Sequence, residues 1–368
     1  MTQVKDVVAM MEAFAPSALK EEWDNVGLQL GNPLQPVSKI LLALTPSEKV
    51  IEEAIKKDVD MIISHHPFIF KGVKTLRADT TIGKLATTCM KNDVALFCAH
   101  TNLDVAQGGV NDVLAKHLAL TNVTGLATVA EKKQFKLVVF VPLTHIEKVK
   151  KALFEAGAGQ QGAYEECAWE TTGHGQFKGN EDANPFLGTR GFLEKVEESR
   201  LEVLVDEAYL PKVLHALKTA HPYEEVAYDV FENLYHQRTE SIGRVGAVAT
   251  PLSLEAWLLQ VKESLGLAHL SYTGSLKRSV RKVALCGGSA TAYLKDAKHA
   301  GADVYVTGDV KYHDAQLAEE LDIALVDVSH FAGEQPVLFM LKNRLEEYFS
   351  NELEVVLSED EKDFIQHL

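Results

Sequence analysis

Cysteine is scarce. The 368 residues hold four, Cys89, Cys98, Cys167 and Cys286, and none forms a C-x-x-C pair. That argues against a cysteine zinc site and a disulfide framework, and it fits buried thiols in a reducing cytoplasm. Long apolar runs are absent too. No stretch reaches 18 uninterrupted apolar residues, and the first 25 residues lack an apolar h-region, so neither a membrane span nor a signal peptide is expected. Basic residues are outnumbered, with 37 Lys+Arg against 52 Asp+Glu and a net charge of −15. Such a surface repels a bare phosphodiester backbone, so nucleic acid is not an expected partner. What is present is ordinary for a globular protein: 46% hydrophobic and 24% charged residues. At roughly 100–200 residues per domain, this length implies two or three domains.

Short apolar runs alternate with helical spacing along the first 125 residues. Lys39–Thr45, Met61–Ser64 and Val94–Ala99 read as strands, with helices at Val4–Phe14, Glu48–Lys57, Ile82–Lys91 and from Gly109 to His117. Strands separated by helices predict an α/β layer with a mainly parallel sheet. From about residue 131 the texture becomes a ββ/α alternation of the ferredoxin-like type. After about 236 the first pattern returns, in Arg281–Gly288, Asp303–Thr307 and Ile323–Val328. The reading is therefore an α/β domain split in sequence, 1–130 and 237–368, interrupted by an α+β insert at 131–236. Gly157-Ala-Gly-Gln-Gln-Gly162 spells G-x-G-x-x-G but follows a helix and precedes a strand, so it reads as a helix cap and turn, not a dinucleotide loop. Thr171–Asn184 reads as a polar stretch.

Three polar clusters leave strand ends, where α/β sheets gather ligands. They are Ser64-His-His-Pro67, Ala99-His-Thr-Asn-Leu-Asp104 and Asp327-Val-Ser-His-Phe-Ala-Gly-Glu334. His330 and Glu334 are four apart and share a face if a helix begins there. Imidazoles mixed with carboxylates suit zinc, manganese or iron. Singly each cluster has a plainer reading: a histidine pair packed in the core, Asp104 as a helix cap, or Glu334 favouring a helix N-terminus ahead of Pro336. Their recurrence after successive strands favours the metal.

These stretches, with Glu21-Glu-Trp-Asp-Asn-Val-Gly27 and Val306-Thr-Gly-Asp309, resemble the GTP cyclohydrolase I type 2 homologue family, also described as dinuclear metal centre hexameric proteins. They occur in family order across most of 1–130 and 237–368. The resemblance implies two divalent metal ions per subunit, zinc first with manganese or iron as alternatives. It places His65, His66, Asp104, His330 and Glu334 at the ligand positions, and it implies a toroidal homohexamer. Either Asp104 or Glu334 is open as the bridging carboxylate. His100 is either a proton-handling support of the site or a packed loop histidine, and Asp309 either a support or a helix cap. Trp23 lines the pocket or joins the core, and Asn25 is a further pocket candidate. The insert resembles CutA/PII-like domains, with His221-Pro-Tyr-Glu224 as the matching piece. The expected function is a hydrolase that uses a metal-activated water on a nucleotide or another phosphorylated small molecule. The alternative is a non-catalytic metal-binding or regulatory hexamer, either a metallochaperone or a PII-like sensor.

Overall fold

A computed structural model describes residues 1–234, 238–350 and 352–366. The chain forms two compact units: Met1–Ala130 together with Glu240–Leu368, and Glu131–Thr239. The expected 236/237 boundary lies outside the described residues.

The strands, in chain order, are β1 (Gly27–Leu30), β2 (Lys39–Ala43), β3 (Met61–Ser64), β4 (Ala95–Cys98), β5 (Thr121–Lys132), β6 (Gln134–Pro142), β7 (Ala168–Phe177) and β8 (Glu194–Asp206). Then follow β9 (Tyr228–Glu232), β10 (Arg238–Ser253), β11 (Ser271–Tyr272), β12 (Ser279–Leu285), β13 (Val304–Thr307), β14 (Ala324–Asp327) and β15 (Glu354–Leu357).

The split unit contains two sheets. The first runs β1-β4-β3-β2-β15, parallel except for the antiparallel edge strand β1. The second runs β11-β14-β13-β12-β10-β5, with a parallel centre and antiparallel neighbours in β10 and β11. The central strands are apolar at most positions because helices cover both faces. In the first sheet Ile40, Leu42, Met61, Ile63 and Phe97 face the helices Val4–Phe14 and Pro336–Tyr348, while Leu41, Ile62 and Leu96 face Glu48–Lys56 and Thr81–Lys91. In the second, Val283, Leu285, Val304 and Val306 pack with Val110–His117 and Leu254–Ser264, whereas Ala284, Tyr305 and Leu325 pack on the other side. Strand alternation produces both pairs of layers.

The two sequence halves interlace. The helix Pro336–Tyr348 and strand β15 return to the first sheet, and the helix Val110–His117 and β5 belong with the second. Parallel centres agree with the sequence reading. The long flanking strands β5 and β10 are an addition, since their half-exposed polar texture gives no buried-strand signal.

In the inserted unit the order is β6–helix–β7–β8–helix–β9, and the antiparallel sheet runs β7-β8-β6-β9. This is the ferredoxin-like arrangement. The helices Ile146–Glu155 and Leu210–Ala220 pack on one face through Leu137, Val139, Leu201, Val203, Val149 and Val213. Gly157 follows the first helix at φ +108, as the helix-cap reading requires. The first half of the polar stretch, Thr171 to Phe177, is strand, an exposed edge whose residues are mostly not apolar.

An ion pair between a buried arginine and a half-buried aspartate ties the sequence halves of the split unit. Arg244 grips Asp112 with two bonds, Nε to Oδ1 at 2.6 Å and Nη2 to Oδ2 at 2.8 Å, and donates to the carbonyls of Ser241 and Gly243. Removing one partner leaves a buried charge unpaired. Asp112→Ala is therefore expected to cost about 3 kcal/mol, read as a lower urea midpoint at unchanged slope.

Candidate metal centre

All the clusters read from the sequence sit at carboxyl ends of parallel strands in the split unit. His65 and His66 follow β3, and His100 and the helix Thr101–Val105 follow β4. Asp309 follows β13, and the short helix His330–Glu334 follows β14. Two glycines permit the close approach. A Cβ on Gly288 (φ +67) would lie 2.3 Å from Glu334 Oε1, and one on Gly308 would lie 2.6 Å from the backbone nitrogen of His330.

The four histidines share one design. Each is held through Nδ1, which leaves Nε2 for the interior. His65 donates from Nδ1–H to the Ala99 carbonyl (2.9 Å), and His66 Nδ1 shares a hydrogen bond with Thr45 Oγ1 (2.8 Å). His330 bonds to Asp309 Oδ2 and His100 to Asp24 Oδ1, both at 2.8 Å. Partners of this kind fix tautomer and ring direction and raise ligand basicity. Thr45 is itself positioned by Glu361, whose carboxylate accepts from the backbone N–H groups of Leu44 and Thr45.

The Nε2 atoms gather around Glu334, which is 3% exposed. Glu334 Oε1 lies 3.5 Å from His65 and 3.2 Å from His330, while Oε2 lies 3.1 Å from His66. His66 and His330 are 3.1 Å apart, Nε2 to Nε2. Asp104 Oδ1 stands 3.7 Å from His65 Nε2. Two triads, His65–His66–His100 and His66–His330–Glu334, have donor atoms within 4.8 Å of one another and could hold a metal ion. Three buried atoms here, His65 Nε2, Asp104 Oδ1 and Glu334 Oε2, make no hydrogen bond. Buried polar atoms are seldom left so. His65 and Glu334 each belong to one of these triads, so the donor set fits a cation, whereas Asp104 belongs to neither and reaches the cluster only through His65.

The charge balance points the same way. Burial alone would lower His65, but Glu334 and Asp104 outweigh it and raise it to about 9. The hydrogen bond to Glu334, supported by Asp309, raises His330 to about 9 despite its burial. His66, buried and flanked by these two, is pushed below its ordinary value. Burial raises Asp104 to about 6, with His65 opposing and Glu334 adding to the rise. Burial also penalises the Glu334 carboxylate, yet the three imidazoles hold it well below the usual range.

The candidates outside this cluster divide clearly. His100 presents its ring 5.2 Å from that of His65 and 5.7 Å from that of His66, so it belongs to the site. Asp309 holds His330 and does not cap the next helix, where Lys311 stands at the N-cap. Trp23 is exposed, with its ring between Phe70 (5.6 Å) and His100 (5.9 Å), and so borders the site outside the core. Asn25 braces the chain by donating to the Ile69 carbonyl. Asp104 is inside its short helix, where His100 is the N-cap. His221 is a turn residue of the insert, bonded to the Phe140 carbonyl. Sequence reading missed Asp24 as a functional residue. It lies within the quoted Glu21–Gly27 stretch, but its partner His100 is 76 positions away.

An α/β frame with a metal-competent carboxyl-end cluster and a ferredoxin-like insert defines the class. A family model described as Duf34/NIF3 (NGG1p interacting factor 3) matches residues 2–363. The chain belongs to this family. A Bacillus subtilis (strain 168) protein named GTP cyclohydrolase 1 type 2 homolog is 41% identical over 328 residues, covering 89% of this chain and 88% of the relative. A Listeria innocua protein of the same name is 38% identical over 365 residues, 98% of each. The crystal structure of a Bacillus cereus protein related to NIF3 superposes with a TM-score of 0.85 at 39% identity, covering 100% of this chain and 99% of that one.

Asp24 offers a pH test. Burial would raise its carboxyl, but hydrogen bonds from His100 and Thr101 overcome that and hold it at about 2. A depressed acid stabilises the fold above its unfolded value and loses that contribution as pH falls through the folded value. Asp24→Asn should thus cost about 2 kcal/mol at pH 6. The gap to the parent should narrow between about pH 4 and pH 2, as followed by urea unfolding at each pH.

Proposed function

We propose that this chain is a metal-dependent hydrolase. In this reading His65, His66, Asp104, His330 and Glu334 hold two divalent cations, zinc in first place and manganese or iron as alternatives. The carrying observation is the trio of buried atoms without partners, His65 Nε2, Asp104 Oδ1 and Glu334 Oε2. Bound cations supply Lewis acidity to a phosphoryl or carbonyl oxygen and acidify water. The protein supplies orientation. Ala99, Thr45 and Asp309 aim the three imidazoles, and the two carboxylates leave the cations a net positive charge that favours an anionic substrate. Asp24 holds the His100 ring through Nδ1, which turns Nε2 toward His65 and His66, the position a proton-transfer group at this site would take. The exposed Trp23 and Phe70 rings, tilted 46° to each other, offer aromatic faces at the rim. A nucleotide or another phosphorylated small molecule combines the anionic and planar parts these features suit. The names of the relatives make GTP the first substrate to try.

The same reading includes a homohexamer and a cytoplasmic location. Among the described residues no helix is long and apolar enough to cross a membrane, and the free buried thiols of Cys89, Cys98 and Cys286 suit a reducing compartment.

Two measurements test the proposal. Protein loaded with zinc, manganese or iron should hydrolyse GTP, another nucleotide or a phosphomonoester, and Glu334→Gln should abolish that turnover. Inactivity across the whole panel with each metal would refute the hydrolase. Independently of turnover, cations must displace the protons of His65 and His330. Calorimetric titration in buffers of different ionisation enthalpy should show release of about two protons at pH 7. Asp309→Ala should weaken the metal by about 10–100-fold.

A further inference from the structure

The inserted unit carries a cavity on the face of its sheet that the two helices leave uncovered. The volume is about 650 Å³, within the range of roughly 300–1,000 Å³ usual for small-molecule sites. Part of its floor, at Gly173 and Gly175, carries no side chain. The register pairs Gly173 with Glu198 and Thr171 with Arg200. Alternation therefore puts Gly173, Gly175, Glu198 and Arg200 on one side of the sheet. Glycine inside a strand marks a place where something approaches the backbone closely. A Cβ on Gly173 would meet nothing within 4 Å, and one on Gly175 would lie 2.1 Å from Glu198 Oε2.

The walls are aromatic. The Tyr223 ring lies 6.1 Å from Phe177 and 6.3 Å from Phe186, and Phe140 adds a further ring. The buried charge in the cavity is negative. Glu198 is 9% exposed, and its Oε1 accepts one hydrogen bond, from the Tyr223 hydroxyl at 3.0 Å. Among the described residues it forms no ion pair, and a buried charge without a counter-charge is costly. The cavity's own cations do not answer it: Arg200 is paired with Glu202 at 3.1 Å, and Lys178 is exposed to solvent. Glu224 and Glu225 add negative charge among the lining residues.

We infer that this cavity binds a small organic cation, an ammonium group on an apolar or aromatic body. The ammonium pairs with Glu198, and the rings of Phe177, Phe186 and Tyr223 receive the body and stabilise the charge through their faces. Gly173 gives the ligand its room, and Gly175 makes room for the Glu198 carboxylate.

The probe is 2-phenylethylammonium, titrated calorimetrically into the full-length protein with 2-phenylethanol and 3-phenylpropionate as neutral and anionic counterparts. The inference expects saturable binding of the cation, at least about tenfold tighter than either counterpart. Glu198→Gln should reduce the cation to the affinity of the alcohol. Gly173→Val, which suits a strand and fills the open floor, should abolish binding in a protein with the parent's circular dichroism and thermal midpoint. Equal affinity for cation and alcohol, binding that survives Gly173→Val, or no saturation up to about 10 mM would each overturn it. If Glu198→Gln does not fold, the cation-to-alcohol ratio and Gly173→Val decide.

Discussion

Glu334 is a carboxylate almost wholly withdrawn from water, with the Nε2 atoms of three histidines 3.1–3.5 Å away. A buried charge of this kind is tolerated only where counter-charge surrounds it, and its neighbours are arranged accordingly. Gly288 and Gly308 leave room for it and for His330. Ser329 adopts φ +68 and caps the short helix that carries His330 and Glu334, accepting from the Ala332 N–H. A left-handed non-glycine residue is strained, so its place at the head of this helix marks the site as built for the cluster. Ala99, Thr45 and Asp309 then aim the imidazoles at the carboxylate.

The frame meets the same demand at longer range. His65, His66 and Asp104 precede the insert, and His330 and Glu334 follow it, so the cluster forms only when both sequence halves assemble. Interlacing secures this. Strand β15 pairs with β2, the helix Pro336–Tyr348 packs on the first sheet, and Arg244 clasps Asp112. The C-terminal stretch contributes as well, because Glu361 grips the backbone that presents Thr45 to His66. The insert has its own core around Leu137, Val139, Leu201 and Val203. It therefore has the buried apolar layer an independent domain requires.

Much of this was legible in the sequence, for physical reasons that differ by element. Runs such as Lys39–Ala43 and Met61–Ser64 announce buried parallel strands because both faces must be apolar. The four-residue spacing of His330 and Glu334 announces a shared helical face, and the helix is there. Pairings set by tertiary contact were not legible. Asp24 meets His100, Asp112 meets Arg244 and Thr45 meets His66 across long separations, with no local period to mark them. Strand β7 reads as a polar stretch because its glycines and exposed residues carry no apolar alternation. The cavity it floors became visible only once β8 was set beside it.

The central claim is that this cluster is a metal site, and elemental analysis tests it most directly. Wild-type protein, His65→Ala and Glu334→Ala are purified side by side, dialysed and measured for zinc, manganese and iron by mass spectrometry. The expected result is about two divalent ions per wild-type chain and a clear loss in both variants. Wild-type protein holding no more metal than the variants would contradict it.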